Sequence, residues 1–247
     1  MKYSTLFLDL DGTLVDSYTG IEWALHCALE RVLPRCPRVA LRELVGPPLP
    51  EIFRLYLEQN LEQNGEGQLS ASEYNHVIPK LVAVFREYYD GEGAARCEPY
   101  PNVCQTLQRL HENGMRQIVV TNKPARPTAL ILQRLGWREY FQGVFCPDSR
   151  IPNFREKVEC ARYALEYFKL VPHETLFVGD SADDALAASH NELDFAAVLY
   201  GYGAAREYSA RYSLEDFSQL LSIISGDAEP DTKLVLHSQK SAAAFSS

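Results

Sequence analysis

Two carboxylates, Asp9 and Asp11, stand one residue apart at the end of the apolar run Leu6-Phe7-Leu8, and Gly12 and Thr13 follow at once. Like charges at this spacing repel unless a cation lies between them. The simplest such cation is Mg²⁺, which takes oxygen ligands and keeps several waters. An apolar run that ends in acids buries its front and opens its end into a wet, polar cleft. Two later runs end in polar groups as well. Gln117-Ile118-Val119-Val120 leads into Thr121-Asn122, and Thr175-Leu176-Phe177-Val178 leads into Gly179-Asp180, with Asp183 and Asp184 in the next turn. These three ends are suited to one shared site.

The elements that must position them follow from the hydrophobic pattern. Further strands are expected at Gly143-Val144-Phe145-Cys146 and Phe195-Ala196-Ala197-Val198-Leu199. Helices are expected over residues 101–111, 124–135, 153–169 and 182–189, and a last helix is capped by Ser213-Leu214-Glu215-Asp216 and reaches Ile224. Strands alternating with helices imply a parallel sheet with helices on both faces, whose ligands bind beyond the carboxyl ends of the strands. Between the first strand and this pattern the chain shows no convincing strand. Ile21, Ala24, Leu25, Ala28, Leu29, Val32 and Leu33 recur at helical spacing until Pro34 and Pro37. A short helix over 39–45 stops at Gly46-Pro47-Pro48, and another starts near Glu51 and runs into the polar 59–67 region. Ser70-Ala71-Ser72-Glu73 is a capping box, Pro79 is placed to kink the helix it opens, and Asp90-Gly91-Glu92-Gly93 ends it. The expected organisation is a core of residues 1–16 and 96–225, an all-helical insert over 17–95 and a flexible tail over 226–247.

Bulk properties narrow the partners. The chain has 247 residues, 46% of them hydrophobic, enough for a real core. Its net charge of −9 argues against a nucleic-acid backbone or an anionic membrane surface as partner. It does not exclude a small anionic substrate, because a metal and a few lysines can dominate one cleft. No apolar run reaches membrane-spanning length. The first apolar segment carries two acids, unlike a signal peptide. Cys27, Cys36, Cys97, Cys104, Cys146 and Cys160 form no C-x-x-C pair, so they read as reduced thiols of a cytoplasmic protein.

Asp9-Leu10-Asp11-Gly12-Thr13 matches the D-x-D-x-T signature of the haloacid dehalogenase-like hydrolases, mostly Mg²⁺-dependent phosphatases, and the sequence resembles that family from Lys2 to about Ile224. Thr121 matches its hydroxyl residue at the end of the second strand, and Gly179-Asp180-Ser181-Ala182-Asp183-Asp184 its acidic G-D-x-x-x-D motif. The family lysine corresponds to Lys157, with Lys123 as rival, and the motif spacing favours Asp184 over Asp183. The resemblance implies an α/β, Rossmann-like, doubly wound parallel sheet with an inserted all-helical cap domain. It implies that Asp9 attacks phosphorus and forms an aspartyl-phosphate, and that Asp11 serves as acid and then base. Mg²⁺ would be held by Asp9, the backbone carbonyl of Asp11, Asp180 and Asp184. Thr121, the backbone N–H of Asn122 and Lys157 would bind the phosphoryl group. Asp16 reads as a hinge or capping residue. Gly201-Tyr202-Gly203 lacks the third glycine of a dinucleotide fingerprint and is discounted as one.

Gly46-Pro47-Pro48-Leu49 resembles the cap loop of phosphoglycolate phosphatase-like members, where Gly-Tyr-Gly also occurs, so Gly46 and Pro47 are expected near the substrate. Arg42, Arg54 and Lys80 are the available cap cations. Where many relatives carry Ala-Gly, this chain has Ser189-His190-Asn191-Glu192-Leu193, and Asn191 is expected to make the left-handed turn. The leading expectation is a phosphatase of small phosphorylated metabolites, phosphoglycolate first among them, acting as a monomer or homodimer. A phosphosugar mutase of the β-phosphoglucomutase kind uses the same core. A dehalogenase does not need Asp11, and a phosphonatase would need a cap lysine such as Lys80. A non-catalytic protein of the same fold would be expected to lack one of the motifs.

Overall fold

The computed structural model describes residues 2–34, 49–63, 70–203 and 205–231. The expected helix over 39–45, the loop residues Gly46 and Pro47, and most of the expected tail lie outside the described residues. The chain divides into two compact units, Met1–Asp16 with Pro99–Ser247, and Ser17–Glu98.

The first unit is built on a six-stranded sheet. Its strands are β1 (Thr5–Leu8), β4 (Arg116–Val120), β5 (Gly143–Phe145), β6 (Thr175–Gly179), β7 (Asp194–Val198) and β8 (Tyr212–Leu214). Two-residue strands, β2 (Val15–Asp16) and β3 (Glu98–Pro99), lie where the chain passes from one unit to the other. The sheet order is β5-β4-β1-β6-β7-β8, and every neighbouring pair is parallel. All four β1 residues are buried, as a central strand covered on both faces requires. Phe7, Ile118, Val120, Phe177 and Phe195 pack on one face with Ala161, Ala164 and Leu165 of α6 (Lys157–Phe168) and Ala185 and Ala188 of α7 (Ala182–His190). This is the doubly wound α/β fold expected from the sequence.

The strand order fixes where a ligand can sit. From β1 the chain proceeds to β4 and then β5 on one side, whereas β6 pairs with the opposite edge of β1 and leads outward to β7 and β8. The winding direction therefore reverses between β1 and β6, and the crevice of an open α/β sheet forms at such a reversal.

One expected element is corrected here. Ser213 and Leu214 lie in β8, not in a helix cap. Tyr212 and Leu214 are buried and pair with Ala196 and Val198, which draws this segment into the sheet. The chain then turns at Asp216, whose carboxylate accepts the Ser218 N–H at 2.8 Å, and α8 begins later, at Gln219–Ser225.

The second unit holds α1 (Tyr18–Val32), α2 (Leu49–Gln63) and α3 (Ala71–Tyr88). Ala24, Leu25, Ala28 and Leu29 of α1 are buried, as are Phe53, Tyr56 and Leu57 of α2 and Leu81 and Phe85 of α3. Phe53 meets Phe85 edge-on at 6.4 Å between ring centres. The Ser70–Glu73 capping box forms as expected, and α3 continues as one element through Pro79. Asp90-Gly91-Glu92-Gly93 does not end the helical path. A π-helical turn, Tyr89–Gly93, and a 3₁₀ turn, Ala94–Arg96, carry it onward. The reason is packing. A Cβ on Gly20 of α1 would lie 2.1 Å from the Gly93 carbonyl oxygen, so Gly20 and Gly93 let two backbones touch. Gly20→Ala is expected to cost about 1–3 kcal/mol through overpacking, read as a lower urea midpoint. An unchanged midpoint would mean that this contact relaxes freely.

Candidate active site

The sheet register assembles the site. Leu8 pairs with Val119 of β4 and Val178 of β6. Asp9 is therefore level with Val120 and Gly179, and Thr121 and Asp180 stand one residue further out, all at strand carboxyl ends. The Asp9 N–H donates to the Val178 carbonyl at 3.1 Å, which pins this carboxylate beside β6.

Four charged side chains converge while buried: Asp9, Lys157, Asp180 and Asp184. Lys157 is the first residue of α6, and its Nζ lies 2.9 Å from Asp9 Oδ1 and 2.6 Å from Asp184 Oδ1. Asp184 sits at the third position of α7 in a reciprocal cap. Its N–H donates to Ser181 Oγ at 3.3 Å, and its Oδ2 accepts from the Ser181 N–H at 3.0 Å. The N-cap is thus Ser181, neither of the two aspartates. Asp180 Oδ1 accepts from the Thr13 hydroxyl at 3.2 Å, and its Oδ2 from the Gly203 N–H at 2.9 Å.

Asp11 is part-exposed, and its Oδ2 pairs with Lys123 Nζ at 2.6 Å. Thr121 is buried, and its hydroxyl oxygen accepts the Lys123 N–H at 3.2 Å, so the hydroxyl hydrogen is what it can give to an anion. The Asn122 side-chain amide donates to Asp183 at 2.6 Å, which leaves the backbone N–H as its group for an anion. The two lysines that the sequence set in competition have separate partners, and Asp183 stands apart from the buried cluster.

A match to the family model for haloacid dehalogenase-like hydrolases spans residues 6–198. The chain belongs to the haloacid dehalogenase-like hydrolases. Among curated relatives, the phosphoglycolate phosphatase of Haemophilus influenzae is 30% identical over 90% of this chain and 99% of its own length. That of Psychrobacter arcticus is 29% identical over 91% and 96%. A solved structure from Haemophilus somnus, described as a predicted phosphoglycolate phosphatase, superposes with a TM-score of 0.76 at 26% identity, covering 91% of this chain and 99% of its own. Within the haloacid dehalogenase-like hydrolases this chain is a phosphatase, a phosphoric monoester hydrolase. No helix among the described residues is long and apolar enough to cross a membrane.

The Gly-Tyr-Gly loop, given no site role from the sequence, also shapes this site. Gly201-Tyr202-Gly203 folds against Asp180. A Cβ on Gly201 would fall 2.4 Å from Asp180 Oδ2, and one on Gly12, whose φ is +81°, would fall 2.2 Å from the same atom. Tyr200 donates its hydroxyl to the Thr13 carbonyl at 2.9 Å, and Tyr202 donates to Asp16 at 3.0 Å. Asp16 therefore holds a loop tyrosine, and the N-cap of α1 is Ser17. The visible signal was a glycine pair just past the end of β7. At the far end of α7, Asn191 does not make the left-handed turn; Glu192 does, with φ of 58°. The Asn191 side chain is instead engaged, donating to the Ala187 carbonyl at 2.8 Å and the Val158 carbonyl at 3.1 Å.

The carboxylates fit a divalent cation. One oxygen from each of Asp9, Asp180 and Asp184 lies within 4.8 Å of the others, and an all-carboxylate donor set suits a hard cation such as Mg²⁺. Asp9 Oδ1 is buried, with the Lys157 ammonium 2.9 Å away. Burial, with Asp184 adding to it, pushes Asp180 up to about 6. Burial, Asp184 and Asp180 push Asp9 up further still, against the opposing pull of Lys157. For Lys157, burial alone would lower the pKa, but Asp184 and Asp9 raise it above the ordinary lysine value.

These shifts have a measurable sign. Between about pH 4 and pH 6 the folded protein keeps a proton on Asp180 that the unfolded chain releases, so stability falls as pH rises through that window. In EDTA, Asp180→Asn is expected to shrink the loss of unfolding free energy between pH 4 and pH 7 by about 3 kcal/mol, measured by urea titration. Mg²⁺ should raise Tm more at pH 7 than at pH 5. An Asp180→Asn profile parallel to wild type would show that Asp180 ionises without cost.

Proposed function

We propose that this chain hydrolyses small phosphomonoesters through an aspartyl-phosphate on Asp9, with Mg²⁺ as cofactor and 2-phosphoglycolate as the preferred substrate. The observation that carries the reading is the buried Asp9 held 2.9 Å from Lys157 and grouped with Asp180 and Asp184. The family and the named activity of the curated relatives support hydrolysis over return of the phosphoryl group to substrate. The helical unit is assigned the role of the cap domain, and Gly46 and Pro47 that of a substrate loop within it.

Asp9, Asp180 and Asp184 would hold the metal through their carboxylates, and Asp11 through its backbone carbonyl. When bound, Mg²⁺ supplies positive charge against both the carboxylates and the phosphoryl oxygens. Asp9 is useful only when ionised, and its burial opposes ionisation, so Lys157 at 2.9 Å favours the reactive form. An Asp9 oxygen bonds to phosphorus as the ester P–O bond breaks, and the electron pair stays on the leaving oxygen. Asp11 protonates that oxygen, then takes a proton from the water that attacks the aspartyl-phosphate. Phosphate leaves, and both aspartates are restored. Thr121, the Asn122 N–H and Lys157 neutralise and orient the phosphoryl group, the main catalytic requirement of phosphoryl transfer.

With Mg²⁺ the purified protein is expected to hydrolyse p-nitrophenyl phosphate, and EDTA should abolish turnover; robust metal-free turnover would overturn the mechanism. Asp9→Asn should lower kcat by at least about 10³-fold, and Lys157→Met by about 10²-fold, each corrected for the folded fraction by circular dichroism. Across 2-phosphoglycolate, glycerol phosphate, β-glucose 1-phosphate and nucleoside monophosphates, kcat/KM should be highest for 2-phosphoglycolate. A higher value for β-glucose 1-phosphate would reassign the substrate.

A further inference from the structure

We propose that Lys123 is the positioning residue of Asp11, so that the two β1 aspartates each work with a lysine of their own. The inference rests on the reading of Asp11 as the proton donor to the leaving group. Lys123 follows Thr121 and Asn122 at the end of β4, just before α5 (Ala125–Arg134). Its backbone N–H is fixed on the Thr121 hydroxyl oxygen at 3.2 Å. Its side chain is only 4% exposed and reaches Asp11 Oδ2 at 2.6 Å, whereas the Asp11 side chain is 25% exposed. The ammonium is thus nearly out of solvent, while its partner carboxylate is part-exposed. A buried ammonium is costly unless paired and hydrogen-bonded, and this one is spent on a carboxylate at the mouth of the site.

That placement separates Lys123 from Lys157. Lys157 lies among Asp9 and Asp184, where the phosphoryl group would be transferred. Lys123 instead anchors Oδ2 of Asp11, so in the donor form the carboxyl proton is carried on Oδ1 and passes from there to the leaving oxygen. Orientation of a proton donor matters in proportion to how much the leaving group needs the proton. In the first step the P–O ester bond breaks and the electron pair remains on the leaving oxygen. p-Nitrophenolate is stable as an anion, whereas an alkoxide must be protonated as it departs. A residue that acts through Asp11 therefore carries a leaving-group signature, and one that merely supports the fold does not. The signature belongs to kcat/KM, which reports events up to the first irreversible step, here transfer to Asp9.

The test compares full-length wild type, Lys123→Met, Lys123→Gln, Lys123→Arg and Asp11→Asn, all with Mg²⁺ and corrected for the folded fraction by circular dichroism. Substrates are p-nitrophenyl phosphate and whichever alkyl ester, 2-phosphoglycolate or glycerol phosphate, has the higher wild-type kcat/KM. Both neutral variants are expected to lose about 10²-fold on the alkyl ester and less than about 10-fold on p-nitrophenyl phosphate. Lys123→Arg should recover most of the alkyl loss, and Asp11→Asn should show the same pattern more strongly. Equal losses on both esters, or none, in the neutral variants while Asp11→Asn keeps its pattern would overturn the role of Lys123 and leave Asp11 as the donor. Equal losses in Asp11→Asn itself would overturn the reading of Asp11, and the role of Lys123 with it.

Discussion

A single ammonium group between two buried carboxylates ties together the charged centre of this molecule. Lys157 stands 2.9 Å from Asp9 and 2.6 Å from Asp184, out of solvent. Neither sign of charge would be tolerated there alone, because removing one partner of a buried pair costs about 3–5 kcal/mol. Three aspartates stand against one lysine, and burial first, with the crowding of like charges added to it, raises the pKa of Asp9 and Asp180. The fold therefore holds a site whose charges balance only when something positive joins them.

The parallel sheet makes such a charge arrangement possible. Strand ends project side chains without a helix or strand continuing behind them, and the reversal between β1 and β6 opens a crevice where Asp9 and Asp180 emerge. The rest is done by close backbone approach. Gly12, Gly201 and Gly203 press around Asp180, so its carboxylate has one place to go. The tyrosines of the same loop fasten the stretch from Thr13 to Asp16 that follows the first motif.

Much of this was legible in the sequence because it depends on local pattern. Apolar runs ending in acids showed both the strands and their useful ends, and alternation with helices gave the parallel sheet. The choice of Asp184 over Asp183 for the buried cluster followed from the D-x-x-x-D spacing counted from Asp180 in the motif that the sequence resembles. What escaped depends on contacts between distant segments. β8 is a strand because Ala196 and Val198 are there to pair with it, and its own Ser-Leu-Glu-Asp sequence reads as a helix cap. Gly91 and Gly93 look like a stop, but Gly93 marks a backbone contact with Gly20. Gly201 and Gly203 form a recognisable Gly-Tyr-Gly pattern, but its physical reason shows only beside Asp180. Asn191 has the right chemistry for a left-handed turn, yet two carbonyls hold its side chain, and Glu192 makes the turn.

The place of β1 in the sheet also constrains how the chain acquires its structure. This strand is the first to be synthesised, yet it lies at the centre, and both of its neighbours, β4 and β6, come from beyond the helical insert. The central pairing must close a loop that includes the whole insert, and the entropy of that closure opposes the sheet until later contacts offset it. Until β6 emerges from the ribosome, the apolar strand that carries Asp9 has an unpaired edge. The insert contacts are local by comparison, so the helical unit is the part able to consolidate first, shortening the effective loop that β1 must span. The order of elements along the chain thus places the entropy of a long loop closure on the strand that leads into the first motif.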